Sequence, residues 1–191
     1  MRPLTGDDLL SPAEFAERRS EFLANHLKYL DRYRRVRVSP QWTLVFENRQ
    51  TLWFRLQEFL RIARLTQPHA IRAALGWYNA LLVHRGQLHA AVVPTPADAA
   101  LTPVRWVQMV LGTTLVTASM NPDGEGDRGC GAAQWLLFAL DTAERRGLAD
   151  LRQPVFLRIE QDGVILHSPP LRDDVRQSLC DDLDLSDRAA A

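Results

Sequence analysis

Arg55, Glu58 and Arg61 recur at i, i+3 and i+6 in an otherwise apolar stretch, a spacing that lines side chains along one stripe of a helix. Leu52, Trp53, Phe54, Leu56, Phe59, Leu60 and Ile62 wrap most of the remaining circumference, the pattern of a helix buried on several sides. A guanidinium at such depth needs a carboxylate, because an unpaired buried charge is strongly destabilising. Two arrangements meet that need. The stripe closes on itself as an ion network tied to the preceding hairpin through Glu47 and Arg49, with Glu58 neutralising Arg55 or Arg61. Alternatively Glu47, Arg49, Thr51, Arg55, Gln57, Glu58 and Arg61 form a seam that faces a partner or ligand.

Other chemistries find less support. The five histidines are His26, His69, His84, His89 and His167, and none is spaced from another as His-x-x-x-His metal ligands are. No Cys-x-x-Cys occurs either. Any metal or acid–base site is therefore assembled at long range, with Glu47, Glu58, His89 and His167 as its residues. The acidic loop from Asp123 to Gly129 imitates a calcium loop, but its sixth and twelfth positions are Arg128 and Gln134 rather than the required glycine and glutamate. No Gly-x-Ser-x-Gly elbow is present, and neither Cys130 nor Cys180 sits in a nucleophile motif. Arg34, Arg35 and Arg37 beside Tyr33 resemble the arginine–aromatic runs that contact single-stranded nucleic acid or phosphate. Basic and acidic residues balance at 23 each, which removes the bulk electrostatic case for a nucleic-acid or anionic-membrane partner.

The elements that hold these residues are legible in outline. Ser11-Pro12-Ala13-Glu14 combines an N-cap, a first-turn proline and a capping box, opening a helix that runs to about Asp31. Arg34–Val38 and Trp42–Glu47 alternate with period two around a Ser-Pro break, predicting a β-hairpin. The central helix spans about Arg49–Leu65, and another follows Pro68. Leu88–Val93 and Thr113–Ser119 predict strands, Ala97–Leu111 a helix, Met120–Gly131 a loop, and Ala133–Leu140 a buried strand. Asp162-Gly163 between Val155–Glu160 and Val164–His167 is a type I′ hairpin signal. Leu171, Val175, Leu179 and Leu183 predict a last amphipathic helix.

At 191 residues with 46% apolar and 24% charged residues, the chain suits one α+β domain over 1–185 with a flexible tail at 186–191. The expected architecture is an antiparallel or mixed sheet carrying an N-terminal helix, a β-hairpin and a central buried helix. The first residues lack the apolar run of a signal peptide, and no stretch reaches the length of a membrane span. The expectation is a cytoplasmic protein.

Certain segments resemble an uncharacterised bacterial family, the domain of unknown function numbered thirty-five-oh-one. They are Leu4–Leu10, Phe15–Arg19 and Arg34-Arg35-Val36, then Phe46-Glu47-Asn48-Arg49-Gln50-Thr51 and Gln57-Glu58-Phe59-Leu60-Arg61-Ile62. Tyr78-Asn79 and His167 follow in order. The resemblance implies a neighbourhood of rubrerythrin-like and iron–sulfur oxidoreductase genes, hence a metalloprotein or oxidoreductase partner, and it brings no activity or cofactor. This chain departs from the family pattern at Ala63, where a glutamate is usual. It departs again at Gln134, Leu137 and Ala139, where histidine, arginine and glutamate are usual. These losses of ionisable groups favour a non-catalytic interaction or scaffold subunit of a redox or biosynthetic complex. The alternatives are a metal-dependent oxidoreductase component and a nucleic-acid or phosphate binder.

Overall fold

A computed structural model of the chain describes residues 1–82, 86–95, 103–120 and 134–188, with side chains of the last helix as far as Leu183. Helix α1 (Pro12–Tyr29) starts as its sequence dictates: the Ser11 hydroxyl accepts from the Glu14 amide, and the Glu14 carboxylate accepts from the Ser11 amide at 3.0 Å. It closes in a π-helical turn, Leu30–Arg34, that feeds strand β1 (Arg35–Arg37). β1 pairs antiparallel with β2 (Trp42–Phe46), Val36 opposite Leu44. Helix α2 (Arg49–Ile62) follows at once, capped by the Asn48 side chain, which accepts from the amides of Gln50 and Thr51. Helix α3 (Pro68–Ala80) packs beside it.

The remaining strands are β3 (Gln87–Pro94), β4 (Trp106–Leu111), β5 (Thr114–Thr117), β6 (Ser119–Met120), β7 (Gln134–Ala139), β8 (Val155–Gln161) and β9 (Val164–His167). Helix α4 (Thr142–Ala149) lies between β7 and β8, and α5 (Asp173–Arg188) ends the described chain. Pairing gives two antiparallel sheets. Sheet A has the order β1-β2-β3-β7-β6, and sheet B the order β5-β4-β8-β9.

Alternation along the strands of sheet A divides the interior in two. Val36, Leu44, Phe46, Leu88, Ala90, Leu136 and Phe138 share a core with Val107, Met109, Leu157 and Ile159 of sheet B and with Val175 and Leu179 of α5. The opposite face of sheet A sends Ala91 and Trp135 into a second core with Leu52 and Leu56 of α2 and Leu75 and Tyr78 of α3. The centre of sheet A is therefore buried on both faces, and α2 lies on its outer side with the apolar girth read from its sequence.

The predicted helix over Ala97–Leu111 is corrected in its described part, because Trp106–Leu111 is strand β4. Val107, Met109 and Leu111 alternate into the core with period two, and pairing to β8 and β5 on either side fixes the extended form. Helix α4 was not foreseen, although Asp141 and Glu144 form a reciprocal capping box of the kind seen at Ser11. The loop expected over Met120–Gly131 lies, beyond Met120, outside the described residues, as do His84, Cys130 and residues 97–102. The Asp162-Gly163 hairpin is as read, with φ of 51° and 81° at its two central residues. Among the described residues, no helix is long and apolar enough to cross a membrane.

Candidate functional site

The central charged stripe divides into separate ion pairs. Arg55 reaches back to the end of β2, where its Nη2 lies 2.8 Å from Glu47 Oε1, with the carboxylate fully buried. The other oxygen of Glu47 accepts from Thr51 Oγ1 at 2.5 Å, and that hydroxyl accepts from the Asn48 amide at 2.9 Å. Arg55 also stacks over the Trp135 ring, 5.4 Å from its centroid. Glu58 pairs elsewhere: it accepts from Arg19 of α1 at 2.8 and 3.1 Å and from Arg61 at 2.8 Å. Burial pushes the Glu58 carboxyl up, but the hydrogen bonds from Arg19 and Arg61 outweigh it and hold it below the ordinary range. Arg49 lies 2.7 Å from Asp8 and donates to the Arg2 carbonyl.

Of the two partners expected for Glu58, Arg55 or Arg61, it takes Arg61, and Arg55 is met by Glu47 at the end of the hairpin. Residues three apart on a helix lie close enough to pair, but Glu47 at the strand end meets Arg55 from the sheet side, where the helix is more deeply covered. Gln57 is buried on another side of α2, and its Nε2 makes no hydrogen bond among the described residues.

A second network flanks the first. Asn48 Nδ2 donates to the Tyr29 hydroxyl at 2.9 Å, and Arg34 Nε donates to the same oxygen at 3.1 Å. Arg34 then pairs with Asp182 of α5 and donates to Ser178 at 2.7 Å. Burial pushes the Asp182 carboxyl up against the pull of Arg34. Burial opposes the charge on Arg34 too, but Asp182 and Tyr29 more than restore it. Arg34 is only 2% exposed, which corrects its assignment to nucleic-acid or phosphate contact: a guanidinium enclosed by Tyr29, Ser178 and Asp182 cannot reach a ligand.

Arg35 and Arg37 remain available. Val36 and Val38 occupy the inner core, so alternation turns both arginines to the outer face of sheet A. There they line an open cleft of about 600 Å³ together with Arg55, Thr43, Thr95 and Asp31. Arg35 is paired to Asp31, Arg37 is exposed, and the hydroxyls of Thr43 and Thr95 stand 3.2 Å apart. His26 borders this region, stacked on Phe54 at 4.2 Å. Burial pushes its imidazole down to about 4, with repulsion from Arg55 and Arg35 adding to the shift.

The four residues considered for a metal or acid–base site do not converge. Glu47 and His89 are neighbours across β2 and β3, the Glu47 amide donating to the His89 carbonyl at 2.9 Å. Glu58 faces α1, and His167 lies on β9 at the edge of sheet B, beside Phe156. Among the described residues no group of three His, Cys, Asp or Glu is arranged to hold a metal ion.

A family model described as a protein of unknown function (DUF3501) matches residues 3–183. The chain belongs to this family. No curated protein matches it. A crystal structure from Burkholderia pseudomallei K96243, described as a novel protein of unknown function, is similar with a TM-score of 0.79 and 23% identity. That similarity covers 96% of this chain and 100% of the other, and at such identity it shows a shared fold. In this DUF3501 chain the segment Phe46–Thr51 supplies a core side chain, the buried Glu47 anchor, the Asn48 cap and the Thr51 hydroxyl in six residues. At positions where departures from the family pattern were expected, Gln134 brackets the Val104 backbone, accepting at 2.9 Å and donating at 3.2 Å. Ala63 is the C-cap of α2, and Ala139 is exposed at the end of β7.

Sequence reasoning missed Arg19, Tyr29, Asp8 and Asp182 as partners of the charged residues. Only Asp182 carried a signal: it lies seven positions after Val175, on the apolar side of the last helix.

Proposed function

We propose that this chain is a non-catalytic interaction subunit that receives acidic side chains of a partner protein in the cleft lined by Arg35, Arg37 and Arg55. The observation that carries the reading is that cleft itself, lined by Arg35, Arg37, Arg55, Thr43 and Thr95 with Asp31 as the one acid among its described lining residues, where Arg37 is exposed and Arg55 is held in the wall by Glu47. Carboxylates and guanidiniums form directional, charge-assisted hydrogen bonds, and such complementarity governs encounter rate and specificity. The rest of the central stripe supports the same reading. Glu47, Glu58 and Arg49 are engaged by Arg55, Arg19, Arg61 and Asp8, as framework that fixes the cleft wall. The partner implied by the family resemblance is a cytoplasmic metalloprotein or iron–sulfur oxidoreductase.

Titration of the full chain with a hexaglutamate peptide and, separately, with inorganic phosphate tests this. The peptide is expected to bind, to weaken as salt rises, and to lose roughly tenfold in affinity on Arg35→Ala/Arg37→Ala. Phosphate binding tighter than the peptide would favour the phosphate-binder alternative. Peptide binding that the double variant leaves unchanged would overturn the cleft.

A further inference from the structure

The other side of α2 holds a second cavity, independent of the arginine cleft. Arg55 and Gln57 are two positions apart, about 200° round a helix, and Gln57 lines a half-open groove of about 420 Å³ between α2, α3 and the segment preceding α1. That segment is a fixed roof. Asn79 of α3 brackets the Leu4 backbone, accepting from its amide at 2.7 Å and donating to its carbonyl at 2.9 Å. Trp53 Nε1 donates to the Asp8 carbonyl at 2.8 Å, and Arg49 and Arg2 both hold the Asp8 carboxylate. The side-chain hydrogen bond from Arg49, with the Thr5 backbone, keeps that carboxyl well below its ordinary value.

Under this roof the walls are apolar: Leu9, Phe15, Leu60, Ile71 and Leu75. Two features break the pattern. Gln57 is 3% exposed and its Nε2 has no hydrogen-bond partner among the described residues, an arrangement that is destabilising when nothing answers it. Arg61 and Arg72 are the charged residues among the lining groups, with no acid among them. Arg61 is shared with Glu58, whereas Arg72 on the exposed side of α3 has no ion-pair partner among the described residues. An apolar volume within the roughly 300–1,000 Å³ of ligand pockets, with a few convergent polar groups, is the usual form of a small-molecule site.

We infer that this cavity binds a small amphipathic carboxylate, a medium-length acyl chain or similar apolar body ending in one carboxyl group. The chain fills the space between Leu60, Ile71 and Leu75, and the carboxylate meets the guanidinium of Arg72. Charge selects the ligand class: two arginines without a lining acid reject cationic amphiphiles and favour an anionic head over a neutral one.

Isothermal titration of the full chain with decanoate, kept monomeric, is the test, with decanol as the uncharged control. The site predicts saturable one-to-one binding of decanoate, weaker binding of decanol, and a loss of at least about tenfold for decanoate on Arg72→Ala. Ile71→Trp, at a half-buried wall position that tolerates a larger ring, should abolish binding by filling the groove. Thermal melts of both variants check that they fold. Absence of saturable binding to the wild type would overturn the inference. So would decanoate affinity that is the same in wild type, Arg72→Ala and a folded Ile71→Trp, since that marks adsorption elsewhere. Neither result bears on the arginine cleft, whose peptide titration reads different residues.

Discussion

The buried charges differ in what their partners can do without them. Glu58 serves Arg19 and Arg61, whose side chains are 37% and 38% exposed, so both recover water when the carboxylate is lost. Glu58→Ala should therefore destabilise by only about 1 kcal/mol in a urea melt. Asp182 is different, because Arg34 beneath it has no solvent to turn to. Asp182→Ala should cost about 3–5 kcal/mol, and Arg34→Met/Asp182→Leu should recover most of that loss. His26 adds a pH dependence. Its folded value near 4 lies below an unfolded value of about 6.5, so the unfolded chain takes up the proton first. Its contribution is whole above pH 6.5 and is lost as pH falls towards 4, reaching about 2 kcal/mol after allowing for partial exposure. His26→Phe keeps the stack on Phe54, so its melting temperature should fall less than the wild type's between pH 7 and 4.5. Parallel falls would show that the imidazole does not titrate in this way. At this scale the sequence disclosed that Arg55 and Arg61 need carboxylates. It named Glu47 and Glu58 but did not disclose that Glu47 takes Arg55 while Glu58 is shared between Arg61 and Arg19, because Glu47 and Arg19 come in through tertiary packing.

Elements were legible where local chemistry is self-sufficient. The Ser11 capping box, Pro68 and the Asp162-Gly163 turn each fix a backbone conformation without outside help, and all three stand where they were read. Strand β4 was misread because Trp106–Leu111 is short and mostly apolar, and only pairing with β5 and β8 decides for a strand. Helix α4 went unread although its Asp141–Glu144 box was present, because its eight residues carry only Leu148 into the core. The C-terminus of α2 yields a prediction of its own. Arg64 adopts a φ of 50°, and the Leu65 amide closes on the Leu60 carbonyl at 3.0 Å, the left-handed helix ending that glycine favours. Arg64→Gly should raise stability by about 0.5–1 kcal/mol in a thermal melt, and a loss would show that the Arg64 side chain contributes more than its backbone strain costs.

The whole molecule is a sheet clad on one side by helices and on the other by a second sheet. Its α+β class followed from hydrophobic periodicity, but the association of the two sheets through α5 had no sequence signal. The cleft was half visible. Arg35 and Arg37 were read as part of an arginine–aromatic run, and Arg55 as part of a helical seam, yet nothing in their spacing shows that the hairpin and α2 bring all three to one cleft. The family match and the related fold leave the role to be settled by this surface. The deciding measurement is quantitative mass spectrometry of proteins retained from the native host at low salt by the tagged chain and by its Arg35→Ala/Arg37→Ala variant. A stoichiometric partner held by the wild type, released by raised salt and lost from the folded variant, is the predicted result. A wild-type chain that comes through alone, or a partner held equally by both, would contradict the account.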